Sequence, residues 1–146
     1  MKCRLIAAGT RLPAWVNEGF EEYRKRLRQP LSLELQEIPV SSVAREGAAM
    51  LAAVDRGDFV VALAVTGRSM DTAALSAWLQ KRLSEGRRLA LLVGGPDGLA
   101  AGCLGRADMQ WSLSPLTLPH AMVRIVVAEQ LYRAISMQAG HPYHRA

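Results

Sequence analysis

The sequence predicts an α/β fold: a mainly parallel sheet of five or six strands with helices on both of its faces. Short apolar segments of strand length alternate along the chain with segments of helical period. Two of the apolar segments, residues 59–65 and 89–93, contain no polar residue, as expected for strands covered on both faces. With 146 residues, of which 50% are hydrophobic, the chain can bury one core, and we assign residues 1–146 to a single domain.

The first three elements follow from the spacing of their apolar residues. Residues 2–8 have the length of a strand, which ends at Gly9. Over residues 14–28 the apolar side chains repeat at helical spacing, and Pro30 ends this helix. Residues 31–38 alternate leucine with polar side chains, so we expect a half-exposed strand near an edge of the sheet.

The middle of the chain continues the alternation. Ser41 or Ser42 can cap a helix over residues 43–54. The buried strand at 59–65 is followed by a loop at 66–70, after which Asp71 caps the next helix.

The last third of the chain predicts two more strands and a long helix. The strand at 89–93 leads through a short helix, roughly 99–106, to a strand at 109–113. A loop at 114–119 then opens a helix over about 120–138.

Three loops leave the carboxyl ends of the predicted parallel strands, where ligands bind in open sheets of this kind. Two of them, residues 94–98 and 114–119, follow neighbouring segments and could form one pocket. The missing side chains of Gly94 and Gly95 would let a ligand lie against the backbone, although a strand-to-helix turn also needs glycine for its dihedral angles.

The composition of this pocket favours a flat purine over a polyphosphate. The loop at 114–119 contains two prolines, which indicates either a rigid connection packed on the core or a stiff ligand wall. The chain lacks the dinucleotide, P-loop and nucleophile-elbow motifs and any metal-ligand spacing, so we expect no metal. The candidate ligand-binding residues are Leu63, Gly94, Gly95, Ser114, Pro115, Leu116, Thr117, Leu118 and Pro119.

The charge and the cysteine content predict a cytoplasmic protein with an anionic partner. A formal net charge of +5 favours nucleic acid. No apolar run approaches the ~18 residues that a membrane span needs, and the N-terminus lacks the features of a signal peptide. We expect Cys3 and Cys103 to be buried thiols in a reducing compartment.

The histidines gather near the C-terminus. His120 begins the last helix directly after the candidate pocket, where it could be either a helix-start residue or a functional group. Residues 141–145 combine imidazole, aromatic and guanidinium groups, which stack on bases and contact phosphates, and Arg124 could extend that surface. The apolar stripe of the last helix is wide enough either for deep burial or for contact with a second subunit.

Longer motifs resemble one known family. Residues 92–98 (LVGGPDG), 111–120 (WSLSPLTLPH), 128–134 (AEQLYRA) and 141–145 (HPYHR) resemble the RlmH-type family. These are bacterial pseudouridine N3-methyltransferases of the SPOUT superfamily, which act on large-subunit (23S) ribosomal RNA. The opening residues 8–10 (AGT) with Pro13, Trp15 and Tyr23 also fit, so the resemblance covers nearly the whole chain.

The resemblance implies a C-terminal trefoil knot, a homodimer, and S-adenosyl-L-methionine as methyl donor bound by the candidate residues above. It implies an RNA-binding role for Arg124, Tyr143, His144 and Arg145, with His120, Arg124 and His144 as candidate catalytic residues and an assembled ribosome as substrate. Two features depart from the family pattern. Ala64 stands where relatives usually have an acidic residue, and the connection at 39–46 is shorter than is common.

Two other functions share parts of this pattern. A doubly wound nucleotide- or flavin-binding module would show the same alternation of strands and helices. A non-catalytic RNA-binding or assembly factor would show the same basic charge, but it would need no methyl donor.

Overall fold

The computed structural model describes residues 1–145, with only the backbone at residue 144. Its core is a parallel five-stranded sheet in the order β2-β1-β4-β3-β5, which confirms the predicted fold class. The strands are β1 (Lys2–Ala8), β2 (Ser32–Ile38), β3 (Phe59–Ser69), β4 (Leu89–Val93) and β5 (Met109–Ser112). The helices are α1 (Ala14–Arg24), α2 (Val43–Ala53), α3 (Thr72–Glu85), α4 (Ala101–Arg106) and α5 (His120–Gln138), followed by a 3₁₀ turn over Pro142–Arg145.

Helices cover both faces of the sheet, as the sequence predicts. Because successive side chains of a strand point to opposite faces, β1 directs Leu5 into one cluster of buried residues and Ile6 into another. The first cluster also contains buried residues of α1, α3 and α5, whereas the second contains residues of α2 and α4. Helix α5 packs against both α1 and α3, so it lies in the middle of the first face.

Several local predictions are confirmed. The half-exposed strand β2 lies at an edge of the sheet. The Ser42 hydroxyl caps α2 by accepting a hydrogen bond from the Arg45 amide at 3.2 Å, and the Asp71 carboxylate caps α3. Both cysteines are buried free thiols, and burial raises the pKa of Cys3 to about 12.

Helix α1 is shorter than predicted. It ends at Arg24 rather than at residue 28, and the chain continues through a tight turn in which the Leu27 amide donates to the Arg24 carbonyl at 3.0 Å. The helical spacing of Val16, Phe20, Tyr23 and Leu27 predicts a longer helix, but Leu27 is buried by the turn rather than by a further helical turn.

Strand β3 is longer than predicted, and the prediction of a loop at 66–70 is wrong. The strand runs to Ser69 with an irregularity in which both Leu63 and Arg68 pair with Trp111. Gly67 lies so close to β5 that a Cβ atom there would be 2.8 Å from the Trp111 nitrogen. The glycine therefore lets the chain bulge and return to the same edge strand.

Within residues 1–145, no helix combines the length and the apolar character that crossing a membrane requires.

The packing of α2 on α4 depends on Gly47, where a Cβ atom would lie 2.5 Å from the Ala100 Cβ. We expect Gly47→Ala to lower the free energy of unfolding by about 1–3 kcal/mol, because overpacking outweighs the gain in helix propensity. The matched variant Gly105→Ala has open space around it and should raise that free energy by up to about 1 kcal/mol. Urea unfolding measures the free energy of unfolding of both variants. If both substitutions stabilise the protein equally, the close approach of Gly47 to Ala100 is contradicted.

Candidate functional site

A cavity of about 650 Å³ opens at the carboxyl ends of β4 and β5, beside the irregular middle of β3. The turn at 94–98 and the loop at 114–119 both line it, so the structure brings together the two segments that the sequence singled out. Of the candidate ligand-binding residues, Pro115 alone does not line the cavity. The candidates that line the cavity are Leu63, Gly94, Gly95, Ser114, Leu116, Thr117, Leu118 and Pro119.

The lining of the cavity carries no permanent charge. Among its described residues there is no aspartate, glutamate, lysine or arginine, and His120 is the one ionisable side chain. Most of the wall is apolar, while Ser114 and Thr117 contribute hydroxyls. A cavity of this kind suits a neutral aromatic ring with hydrogen bonds to the backbone, and it offers no cation to a polyphosphate.

The turn at 94–98 is held by backbone contacts that require glycine. The Gly98 amide donates to the Gly95 carbonyl at 3.0 Å, and Gly98 has a φ of +82°. A Cβ at Gly94 would lie 2.5 Å from the Gly98 carbonyl carbon, whereas one at Gly95 would meet only ordinary contacts at 3.5 Å or more. The structural requirement for glycine therefore falls on Gly94 and Gly98 rather than on Gly95.

The loop at 114–119 is ordered by its own hydrogen bonds. The Ser114 hydroxyl accepts from the Leu116 amide at 3.0 Å, and the Ser112 hydroxyl donates to the Ser114 carbonyl at 3.1 Å. Pro119 precedes the first residue of α5 and accepts hydrogen bonds from the first turn of that helix. Leu116 is 72% exposed at the rim, so the loop presents an apolar side chain to solvent.

The two candidates on α5 lie in different environments. His120 is half-buried and lines the cavity. Arg124, one turn further along, is 1% exposed; its Nη1 contacts the Glu37 carboxylate at 2.8 Å and its Nη2 donates to the Gly9 carbonyl at 3.3 Å. The arginine thus ties α5 to the ends of β1 and β2, and in this arrangement it offers almost no surface to an RNA.

The C-terminal tail lies against its own α5. The Tyr143 ring packs on Tyr132 with ring centroids 4.7 Å apart, its hydroxyl donates to Glu129 at 3.3 Å, and the Arg133 guanidinium lies over it at 4.9 Å. Burial, followed by a hydrogen bond with Tyr23, raises the pKa of the Tyr143 phenol.

Within the tail, Tyr143 is held far from the cavity of its own chain. With a rise of ~1.5 Å per residue, the helix positions that hold Tyr143 lie about 13–20 Å along α5 from His120. Arg145 is exposed, while the side chain of His144 lies outside the described residues.

Sequence reasoning missed three features of the site. Trp111, which is 4% exposed, lines the cavity. Its place near the end of β5 could have identified it as a cavity residue from the sequence. Val65 lines it from the β3 bulge. Glu46 is 5% exposed beneath Gly95 and accepts a hydrogen bond from the Ser41 amide at 2.9 Å, a contact that only the folded chain creates.

Comparison with known proteins gives consistent matches. A family model described as "Predicted SPOUT methyltransferase" matches residues 1–144. The chain is 52% identical over 155 aligned residues to "Ribosomal RNA large subunit methyltransferase H" of Thioalkalivibrio sulfidiphilus, with 99% of each chain covered. It is also 52% identical over 156 aligned residues to the protein of the same name from Alkalilimnicola ehrlichii, with 100% of each chain covered.

Solved structures show the same fold at low sequence identity. A probable methylase family protein from Haemophilus influenzae Rd KW20 superposes with a TM-score of 0.58 at 13% identity, over 97% of this chain and 69% of that one. TrmJ from Z. mobilis ZM4 superposes with a TM-score of 0.51 at 16% identity, over 92% of this chain and 70% of the other.

Removing the buried guanidinium should destabilise the protein rather than alter only its surface. We expect Arg124→Leu to lower the free energy of unfolding by about 1–3 kcal/mol, because the Gly9 carbonyl and Glu37 lose their partner. Lys2→Met, which breaks the exposed pair with Glu34, is the matched control and should leave the urea midpoint unchanged. An Arg124→Leu protein of normal stability would show that the ion pair does not hold α5 in place.

Proposed function

The chain belongs to the SPOUT methyltransferase family, and we propose that it transfers the methyl group of S-adenosylmethionine to N3 of a pseudouridine in large-subunit (23S) ribosomal RNA. The relatives named as large-subunit ribosomal RNA methyltransferases, at 52% identity over 99–100% of both chains, support the RNA substrate. The observation that carries the proposal is the uncharged cavity between the glycine turn and the proline-containing loop.

The cavity fits the adenosyl part of such a donor. Leu63 and Leu118 can pack against the adenine ring, while the backbone of the 94–98 turn and the hydroxyls of Ser114 and Thr117 can hydrogen-bond to it. When bound, the donor supplies a methyl group already activated on a sulfonium. The protein then has to position the acceptor nitrogen in line with that group and exclude water.

The acceptor nitrogen is a weak imide acid that must lose its proton. His120 lines the cavity, and a neutral imidazole can accept a proton, so we assign it the role of proton acceptor. His144 is the alternative base, and Arg145 can stabilise the developing anion. Arg124 acts as a positioning residue, because its guanidinium is bound to Glu37 and Gly9 one turn behind His120.

We propose that the protein acts as a homodimer in which the tail of one subunit serves the cavity of the other. The tail's distance from its own cavity supports this, since Tyr143 is held far along α5. Trp15, 56% exposed, and the half-buried Ile125 provide apolar surface for a subunit contact. Residues 1–146 would form one methyltransferase domain, and the knot of the family would cross where the 94–98 and 114–119 segments meet.

An assembled ribosome or subunit in the cytoplasm is the proposed substrate. A domain of 146 residues with a net charge of +5 presents little basic surface, so we expect it to need a preformed RNA structure.

The direct test is transfer of tritium from labelled S-adenosylmethionine to ribosomes of a strain that lacks the enzyme. We expect label in the large-subunit RNA, and nucleoside analysis should identify it as N3-methylpseudouridine. Calorimetry should show that the free protein binds the donor and that ATP and flavin do not compete. Ribosome binding without donor binding would instead establish the non-catalytic RNA-binding alternative.

Gly94→Ala tests the cavity itself within the same experiment. Because its Cβ would meet the Gly98 backbone at 2.5 Å, the turn has to open and donor binding should fall by at least roughly tenfold. Gly105→Ala makes the same chemical change where nothing lies within 4 Å and serves as control. Far-UV circular dichroism confirms that each variant is folded. Normal donor binding by Gly94→Ala would place the donor elsewhere.

Deleting residues 141–146 should abolish methyl transfer but leave donor binding largely intact, because none of the tail residues that the structure describes in full, 141–143 and 145, lines the cavity of its own chain. Tyr143→Phe, which removes the hydrogen bonds of the hydroxyl with Glu129 and Tyr23 but keeps the ring, is the control and should retain transfer. Transfer at the normal rate by the truncated protein would refute an RNA-side role for the tail.

A further inference from the structure

A second groove lies between α3 and the edge strand β5, outside the cavity described above. It encloses about 630 Å³ and is lined by basic and aromatic side chains, chiefly Phe59, Arg68, Trp78, Lys81 and Arg82. Neither the methyl-donor cavity nor the C-terminal tail accounts for these residues.

The groove carries positive charge that the protein does not neutralise. Neither Arg68 nor Lys81 has a carboxylate within ion-pair distance in the part of the chain that the structure describes. Arg82 is paired with Glu85 at 2.8 Å, and the one acidic lining residue, Asp108, lies within 4 Å of two arginines. Two exposed cations are therefore left facing a single groove, an arrangement that attracts a polyanion.

Aromatic rings form the rigid wall of the groove. Trp78 meets Phe59 edge to face with centroids 5.8 Å apart, and the Arg82 guanidinium lies 4.6 Å from the Phe59 centroid and 5.5 Å from that of Trp78. These contacts hold Arg82 in place while Trp78 stays half-buried. Phe59 is 8% exposed and supports the groove from beneath, so Trp78 is the ring of the pair that a nucleic acid can reach. An accessible aromatic ring among basic side chains is typical of surfaces that follow single-stranded nucleic acid.

The groove and the cavity lie beside the same two strands. Leu63 and Val65 of β3 line the cavity, whereas Arg68, just beyond the bulge, lines the groove. On β5, Trp111 lines the cavity and Met109 lines the groove. A polymer that leaves the cavity across the edge strand β5 would therefore meet the two unpaired cations within a distance spanned by a few residues of a β-strand.

We propose that this groove binds the sugar–phosphate backbone of the RNA substrate, next to the nucleotide that enters the cavity. The inference rests on the proposed function for the identity of the substrate, but the charge and shape of the groove carry the binding itself. Arg68 and Lys81 contact phosphates and so set affinity and register, without touching the reacting atoms.

The test is the salt dependence of binding to large ribosomal subunits from a strain lacking the enzyme. Each lost phosphate contact makes the slope of log K against log salt shallower by about 0.7–0.9, so Arg68→Gln/Lys81→Gln should reduce it by about 1.5. We expect the dissociation constant to rise roughly tenfold near 0.1 M salt. Donor binding and the thermal unfolding midpoint should match those of the wild type.

The matched control is Arg28→Gln/Arg45→Gln. It removes the same charge from two exposed arginines outside the groove that also lack ion pairs among the described residues, and it should leave the slope unchanged. Each single groove variant should give about half of the effect, which keeps the test valid if the double variant folds poorly. Equal slopes for the groove and control variants would overturn the proposal. The proposal would also be overturned if polyglutamate competed with the ribosomal subunits as strongly as poly(U) does, since the groove would then accept any polyanion.

The outcomes separate this inference from the proposed function. Methyl transfer by the wild type with no change of slope in the groove variants would refute the groove alone. If the groove variants show the expected change of slope but the wild-type protein transfers no methyl group, the groove proposal stands and the proposed function is refuted.

Discussion

The candidate site depends on one close approach of the backbone to itself. Gly94 leaves β4 so near to Gly98 that no side chain fits between them, and this contact folds the 94–98 turn back over the end of the sheet. Because the turn is compact, the loop at 114–119 can close the other side of the same cavity. Both walls are stiff before any ligand arrives, so binding need not order them first.

The position of His120 depends on a second constraint, the buried Arg124. The guanidinium joins α5 to Gly9 at the end of β1 and to Glu37 near the end of β2. Burying a charge is costly unless it is paired and hydrogen-bonded, so this geometry resists small displacements of the helix. The first turn of α5, which carries His120 into the cavity, is therefore fixed by residues that do not touch the cavity.

Periodicity predicted most of the fold because each element depends on its own residues. The alternating leucines placed β2 at an edge, the uninterrupted apolar runs marked β3 and β4, and Asp71 marked the start of α3. The same local reasoning placed the two loops of the cavity on one edge of the sheet. It could not reveal the burial of Arg124, whose partners lie 87 and 115 residues away in sequence, or the return of β3 to Trp111 after its bulge. These features arise from contacts between distant segments, which a single sequence does not display.

The separation of uncharged and charged surfaces has a physical basis in the proposed reaction. A cavity without fixed charges excludes water and strengthens each hydrogen bond made inside it, whereas a cation within it would also recruit phosphate and compete with a neutral ring. The unpaired cations lie instead in the groove beside β5, where solvent access lets a phosphate chain bind and leave quickly. The bulge of β3 is the boundary between the two, since Val65 and Arg68 line different surfaces although only two residues separate them. A single irregularity in β3, the strand next to the sheet edge, can thus direct one part of the chain towards a small molecule and the next part towards a polymer.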